Sequence, residues 1–422
     1  MYLDRIKLKN FRNYQVLEFK PGLGLNMLIG KNAQGKTNFL EALNILASSK
    51  SFRVRSESEL IKWQTDHAEI EADFFTERGE KRRLTVRWAY NPLSKVLERR
   101  ILIDDNIIKR LGDFLGEVPL TLFIPGDLAL IQGGPVLRRR LMDILLCKVS
   151  NLYCTHLINY RQVVRQRNKF LHVRVKGSGS AACLSSADRS YLQVWNEQLK
   201  KLGAEITYYR LIILAYLQVV VGKIYSQLSS DQSCQLNLTY QSRLGKANLA
   251  EINQILAEKA AILAEYEGEK SEKIPLSLKL EPQILHKIEE LFASALQRNS
   301  QSELSFRSTQ VGPHRDDFAI EVLGHSLKTF GSQGQHRSAA LALRLAEAKI
   351  MSLVRHEESI VLLDDCFSEL DKNRQEILLN YLGNLGQIFL TAAVSADFSA
   401  TFQNIREINY FNVTSGTIEP IS

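Results

Sequence analysis

Apolar and polar residues alternate one for one in four short runs near the start of the chain: Ile6-Lys7-Leu8-Lys9, Val16-Leu17-Glu18-Phe19, Ala68 to Phe74 and Leu84 to Trp88. That period belongs to strands with one face in a core. Charged turns such as Glu77 to Arg83 punctuate the runs, so an antiparallel sheet is predicted. Leu25-Asn26-Met27-Leu28-Ile29 reads instead as a short buried strand, and Asn38 to Leu46 behind it has apolar residues at helical spacing. Past Gly133-Gly134-Pro135 the spacing turns helical, from Val136 to about Phe170 and from Asp188 to Ile224. The Gly/Ser stretch Lys176 to Ala182 separates these two runs as a flexible loop. Helical spacing returns from Ala247 to Glu265 and from Glu281 to Arg298, and near Phe306 the pattern becomes strand-like and then β/α. The expected fold is α/β. Residues 1–135 and 303–422 form a nucleotide-binding core from both chain ends, and a mainly helical lobe, 136–302, is inserted between them. No repeat or sustained heptad appears, which argues against a long coiled-coil arm.

Composition narrows the class without deciding it. A chain of 422 residues has room for two or three domains, and its net charge of +8 leans towards polyanionic partners, although solubility alone explains a charge of that size. Five cysteines without a C-x-x-C pair or metal-ligand spacing predict reduced thiols and no zinc site. The opening Met1 to Ile6 has no apolar signal core, and the apolar run Leu211 to Val221 is too short to span a bilayer. A cytoplasmic protein with no membrane partner is expected.

The chemistry sits between the buried strand and its helix. Gly30-Lys31-Asn32-Ala33-Gln34-Gly35-Lys36-Thr37 fits G-x-x-x-x-G-K-[ST] without a mismatch. Strand, Gly-rich turn and helix place backbone N–H groups around a phosphate at the helix N-terminus. There Lys36 would neutralise the β- and γ-phosphates and Thr37 would offer its hydroxyl to Mg²⁺, so ATP-type binding is expected. A second apolar strand, Ile360 to Leu363, ends in Asp364-Asp365. Asp364 is the expected metal residue, and Asp365 is expected to orient or deprotonate the attacking water. Ser332-Gln333-Gly334 opens a third candidate element, a helix N-terminus able to hold an anion. Two such ends do not easily reach one γ-phosphate within a subunit, but across a two-fold dimer each Ser332-Gln333-Gly334 would cap its partner's nucleotide. An ordinary N-cap has the same spacing.

These strings, with Ser368-Glu369-Leu370-Asp371, occur in the order of ABC-type ATPase heads, whose P-loop, signature loop, Walker B strand and D-loop they resemble. Leu8 to Tyr14, Val311-Gly312-Pro313-His314-Arg315-Asp316-Asp317 and Leu362 to Asp371 make the chain similar to the RecF family of bacterial recombination mediators, in the SMC-like branch. The resemblance runs essentially end to end. It implies an ABC-type head with a mixed sheet in a protein that dimerises on ATP and binds single-stranded, gapped or duplex DNA. It also implies support for recombinase loading with RecR and RecO as partners, in repair, replication restart and the SOS response. By the same resemblance, Ser332 completes the partner's ATP site and Arg12 lies near the phosphates. The chain departs from the family pattern at Gly126, where relatives carry an acid, and at His336, usually Gln. Asp365 stands where most ABC ATPases have Glu, and Thr391 stands where transporter ATPases have a switch histidine. A shorter carboxylate and no switch histidine predict slow, DNA-stimulated hydrolysis acting as a timed clamp.

Candidate DNA contacts are Arg138 and Arg139 of the triplet 138–140, and Arg161, Arg165 and Lys169, which lie at i, i+4 and i+8 on one helix face. Lys81-Arg82-Arg83 and Phe52-Arg53-Val54-Arg55 add further positive charge. A solvated surface fits any one cluster equally well. The competing functions are an ABC-type ATPase subunit of a membrane transporter, a nuclease or helicase, and a scaffold that binds ATP without hydrolysing it. The absent switch histidine and the helical insert speak against the first.

Overall fold

The computed structural model describes residues 1–91, 94, 96–177, 183–229, 234–266, 278–367, 370–383, 385–393 and 407–421. Ser368 and Glu369 of the expected D-loop, and residues 178–182 of the Gly/Ser stretch, lie outside them.

Two six-stranded sheets make the head. The first is antiparallel throughout, in the order Tyr14–Phe19, Tyr2–Phe11, His67–Phe75, Lys81–Asn91, Val96–Ile103, Asn106–Ile107. All four alternating runs become its strands. The second sheet runs Thr417–Pro420, Ile408–Thr414, Leu25–Ile29, Ile388–Ala392, Ile360–Leu363, Leu120–Phe123. Its strands are parallel except for the C-terminal hairpin, so the sheet is mixed and draws on both chain ends. Leu25–Ile29 is inner and apolar because a parallel strand is covered on both faces.

The helix Lys36–Ser48 lies between the two sheets and shares one core with both. Phe39 meets Phe19 edge-on at 5.4 Å and Phe389 at 5.8 Å, which ties the helix to each sheet. Truncating a buried aromatic of this kind costs about 3–5 kcal/mol. The start of that helix is therefore held from both sides.

The lobe is built on the 43-residue helix Ser186–Leu228. By length and composition this helix could cross a membrane, yet 61% of its most apolar window is buried against neighbouring helices. The helical run expected from Val136 to Phe170 is two helices, Pro135–Val149 and Asn151–Arg174. Ser150 between them is extended, and its hydroxyl accepts the Tyr153 N–H at 3.2 Å, capping the second helix. The strand pattern expected near Phe306 starts later. Ser300–Phe306 is a short helix, and the strand Asp317–Val322 pairs with Leu236–Gln241 from the lobe region.

Val311 to Asp317 forms a buried polar knot joining the helices. Arg210, fully buried, donates to Asp143 at 2.7 Å and to the Pro313 carbonyl. Tyr240 donates to Asp316 at 2.9 Å, and Tyr160 is hydrogen-bonded to His314 at 2.7 Å. Gly312 is required: its φ is +123°, and a Cβ there would lie 2.2 Å from the Tyr160 hydroxyl. Burial drives His314 down to about 4 and Asp316 up to about 6.

Candidate functional site

The loop Gly30 to Gly35 is held open by both ends of the chain. Asn13 donates through its side-chain amide to the Gln34 carbonyl at 2.9 Å, and Tyr14 donates to the Gly35 carbonyl at 3.0 Å. The Ser415 N–H donates to the Gln34 side chain at 2.8 Å. A Cβ at Gly30 would sit 2.3 Å from the Val413 carbonyl oxygen, and Gly35 has φ +123°. Both glycines are therefore dictated by close approach and backbone sign. Lys36 curls its ammonium onto the carbonyls of Gly30 and Lys31, inside the concavity that phosphates would enter. Its burial lowers its pKa against the raising pull of Asp365 and Asp364.

The Thr37 hydroxyl donates to Asp364 Oδ1 at 3.0 Å, across 327 positions of sequence. Thr391 donates to the same oxygen at 2.9 Å and accepts the Asp365 N–H at 2.9 Å. Burial raises the Asp364 pKa, and the two threonine hydroxyls oppose that by stabilising the carboxylate. A hydroxyl and a carboxylate held together at the mouth of a phosphate loop are an oxygen donor set of the kind Mg²⁺ takes. Asp365 follows in left-handed conformation, φ +48°, which turns its exposed side chain away from the strand.

Ser332 caps the helix Gln333–Arg355 in a capping box: its hydroxyl accepts the Gln335 N–H, and the Gln335 side chain accepts the Ser332 N–H at 2.8 Å. Ser332 and Gln333 are exposed, and Gly334 packs beside Arg374. His336, one turn into the helix, is buried between the Leu327 carbonyl at 2.8 Å and Gln132 at 2.9 Å. Its role is to anchor the loop from below. Beside Gly126, the acid of this turn is Asp127. Asp127 accepts the Ile124 N–H at 2.9 Å and pairs with Arg344 of the Ser332 helix at 2.6 Å.

The model of the RecF/RecN/SMC N-terminal domain matches residues 2–413. The DNA replication and repair protein RecF of Oenococcus oeni is 32% identical, with 99% of both chains covered. That of Halothermothrix orenii is 33% identical over 99% of this chain and 98% of its own. This chain belongs to the RecF family. A solved RecF structure, described as the recombination mediator RecF with ATP in the RecFOR pathway, superimposes with TM-score 0.78 at 26% identity. The match covers 100% of this chain and 98% of that one. An Smc head domain from Pyrococcus furiosus shares the fold at 14% identity and TM-score 0.51.

On this RecF fold the arginines that the sequence singles out separate into different environments. Arg12 grips the fully buried Glu41 of the P-loop helix through two bonds of 2.8 and 2.9 Å. Its position thereby braces the cradle. Arg53, exposed, donates to Asn38 at 2.6 Å and acts electrostatically on Asp364. It therefore approaches the nucleotide site, although sequence groups it with the DNA clusters. Trp63 carries no signal in the sequence. It is 89% exposed on a turn whose Lys62 donates to the Asn13 carbonyl, and Asn13 is the residue that holds Gln34. A lone tryptophan beside a lysine is too common a pairing to mark a site.

Among the expected DNA contacts, Arg138 requires correction. It is buried, pairs bidentately with Asp317 at 2.9 and 2.7 Å, and donates to two carbonyls besides. Desolvating that guanidinium demanded those partners, so it is part of the knot and presents no charge to a phosphate. Arg139 is half-buried on the Asp316 carbonyl. Arg161, Arg165 and Lys169 are exposed along Asn151–Arg174, with Arg161 also reaching Asp143 at 3.0 Å.

Proposed function

We propose that this chain is an ATP-switched DNA clamp of the RecF type, and the Thr37–Asp364 bond carries that reading. It joins the two halves of a Walker site from opposite chain ends. Gly30 to Thr37 would cradle the triphosphate of ATP, with Lys36 turning from its loop carbonyls to the phosphates. Thr37 and Asp364 would hold Mg²⁺, which would supply charge neutralisation at the phosphates. Asp365 would orient the attacking water. Arg12 would lie near the phosphates. Ser332-Gln333-Gly334 would cap the nucleotide of a second copy, a reading supported by the exposure of Ser332 and Gln333.

The closed dimer would grip single-stranded or gapped DNA along Arg161, Arg165 and Lys169, with Arg139 beside them, and support recombinase loading with RecR and RecO in repair, replication restart and the SOS response. Cytoplasmic location, weak ATPase activity and a division into 1–135, 136–302 and 303–422 belong to the same proposal. Mass by light scattering with ADP, with ATP and with ATP plus gapped DNA tests it. Doubling with ATP, and retention of DNA only then, is expected. Monomers at saturating ATP with DNA present would refute the clamp.

A further inference from the structure

The helices Asn151–Arg174 and Ser186–Leu228 form a hairpin, closed by the antiparallel bridge between Lys176 and Cys183. The exposed arc of the first helix is divided lengthwise. Arg161, Arg165 and Lys169 hold one side, and Asn159, Gln162 and Gln166 lie about 60–120° further around the axis, at the rim facing the second helix. Those amides, with Gln198 and Lys201 of the second helix, line an open cleft of about 340 Å³. Towards the hairpin tip, on the Gln198 face of the second helix, stand Tyr191 and Val194, at i and i+3 to the i+7 of Gln198. They are 67% and 57% exposed, large side chains that the fold leaves in solvent. The neighbouring Glu197 turns its charge onto Lys200 at 2.5 Å, and Lys201 borders the cleft.

We infer that this cleft and Tyr191 form a binding strip for the unpaired bases of single-stranded or gapped DNA, beside the basic stripe that would neutralise phosphates of the same DNA. The inference rests on the DNA reading above and names its single-stranded part. An aromatic ring stacks an unpaired base of any sequence. Amides reach base edges and sugars that a duplex hides, and the lysine and arginines neutralise phosphates on either side. A base inside a duplex is already stacked and gains nothing from Tyr191. The hairpin would thus hold both sides of a gap at once, and the positive charge along its rim favours a polyanion over an apolar peptide.

The test is fluorescence anisotropy of the full chain with oligo-dT, with a duplex of mixed sequence and with a gapped duplex, all at one salt concentration. Tyr191→Ala should weaken oligo-dT binding by about tenfold, the loss expected for one base stack, with duplex affinity unchanged within about twofold. Tyr191→Phe should restore oligo-dT binding, since the ring and not the hydroxyl does the stacking. Unchanged oligo-dT affinity in Tyr191→Ala, or an equal loss on duplex, would overturn the strip while leaving the clamp standing. Wild-type protein that binds none of the three DNAs would overturn both.

Discussion

Arg374 donates through Nε to the carbonyl of Leu228 at 3.2 Å, and this bond closes the C-terminal end of the longest lobe helix onto the ATPase head. The same guanidinium holds Asp371 at 2.8 Å and packs against Gly334. Ser338, in the helix that Ser332 caps, also donates to the Leu228 carbonyl. One helix end thus meets both Arg374, the partner of Asp371, and Ser338 of the helix that Ser332 caps. Arg374→Ala should leave nucleotide binding by one protomer intact and weaken coupling between DNA and hydrolysis by about tenfold, within the range of ordinary site-to-site coupling. Comparing ATPase rates with and without DNA, beside nucleotide affinity, checks this. Equal DNA stimulation in variant and wild type would remove Arg374 from the path.

The hydroxyl of Thr391 serves both carboxyl residues of the site. Thr391→Val keeps the shape and deletes the bond to Asp364 and the acceptor for the Asp365 N–H. Hydrolysis should slow by about 10- to 100-fold, the scale of a positioning defect, with ATP binding nearly unchanged. Lys36→Ala should abolish ATP-dependent dimers, and Asp365→Asn should prolong them. Single-turnover rates and dimer lifetimes measured on the three variants separate these roles.

Arginines that look alike in sequence should respond differently. Reversing Arg161 and Arg165 to Glu should weaken DNA binding and flatten its salt dependence, by about one unit of slope for each phosphate no longer neutralised. Arg138→Ala should instead destabilise the fold by roughly 3–5 kcal/mol, because the largely buried Asp317 is left unpaired. Salt titrations and thermal melts run on both variants give the answer.

The knot should make stability depend on pH in two opposed ways. His314 titrates near 6.5 unfolded and at about 4 folded, so the native state binds fewer protons between those values and His314 loses stability for the fold as pH falls. Asp316 titrates near 3.8 unfolded and at about 6 folded, so its contribution falls as pH rises through that window. Each is on the order of 3 kcal/mol, and they largely offset in wild type. His314→Gln should therefore gain stability relative to wild type on going from pH 7 to 5, and Asp316→Asn should gain it in the reverse direction. Denaturant midpoints across that range decide it; parallel curves for all three proteins would discount the knot as the source.

The cradle is readable in the sequence because its parts are local. Gly30 to Thr37 needs only a strand before and a helix after, and both announce themselves by spacing. The same holds for the Asp364-Asp365 strand end and for the alternating runs of the first sheet, where period two is a property of the chain itself. The break at Ser150 is not readable, because an N-cap inside a continuous apolar rhythm is one residue wide.

What the sequence determined by itself was the set of elements and the identity of the phosphate loop, since periodicity and glycine spacing act within a few residues. Tertiary structure alone decided which charges face solvent. Arg138 is spent on Asp317, which is 179 positions away, Arg12 on Glu41, and Arg344 on Asp127, whereas Arg165 and Lys169 stay exposed on their helix. It also decided that Thr391 would join the two acids. Desolvation makes a buried charge bind whatever partner the fold brings to it, and that partner comes from a part of the chain that local pattern cannot see.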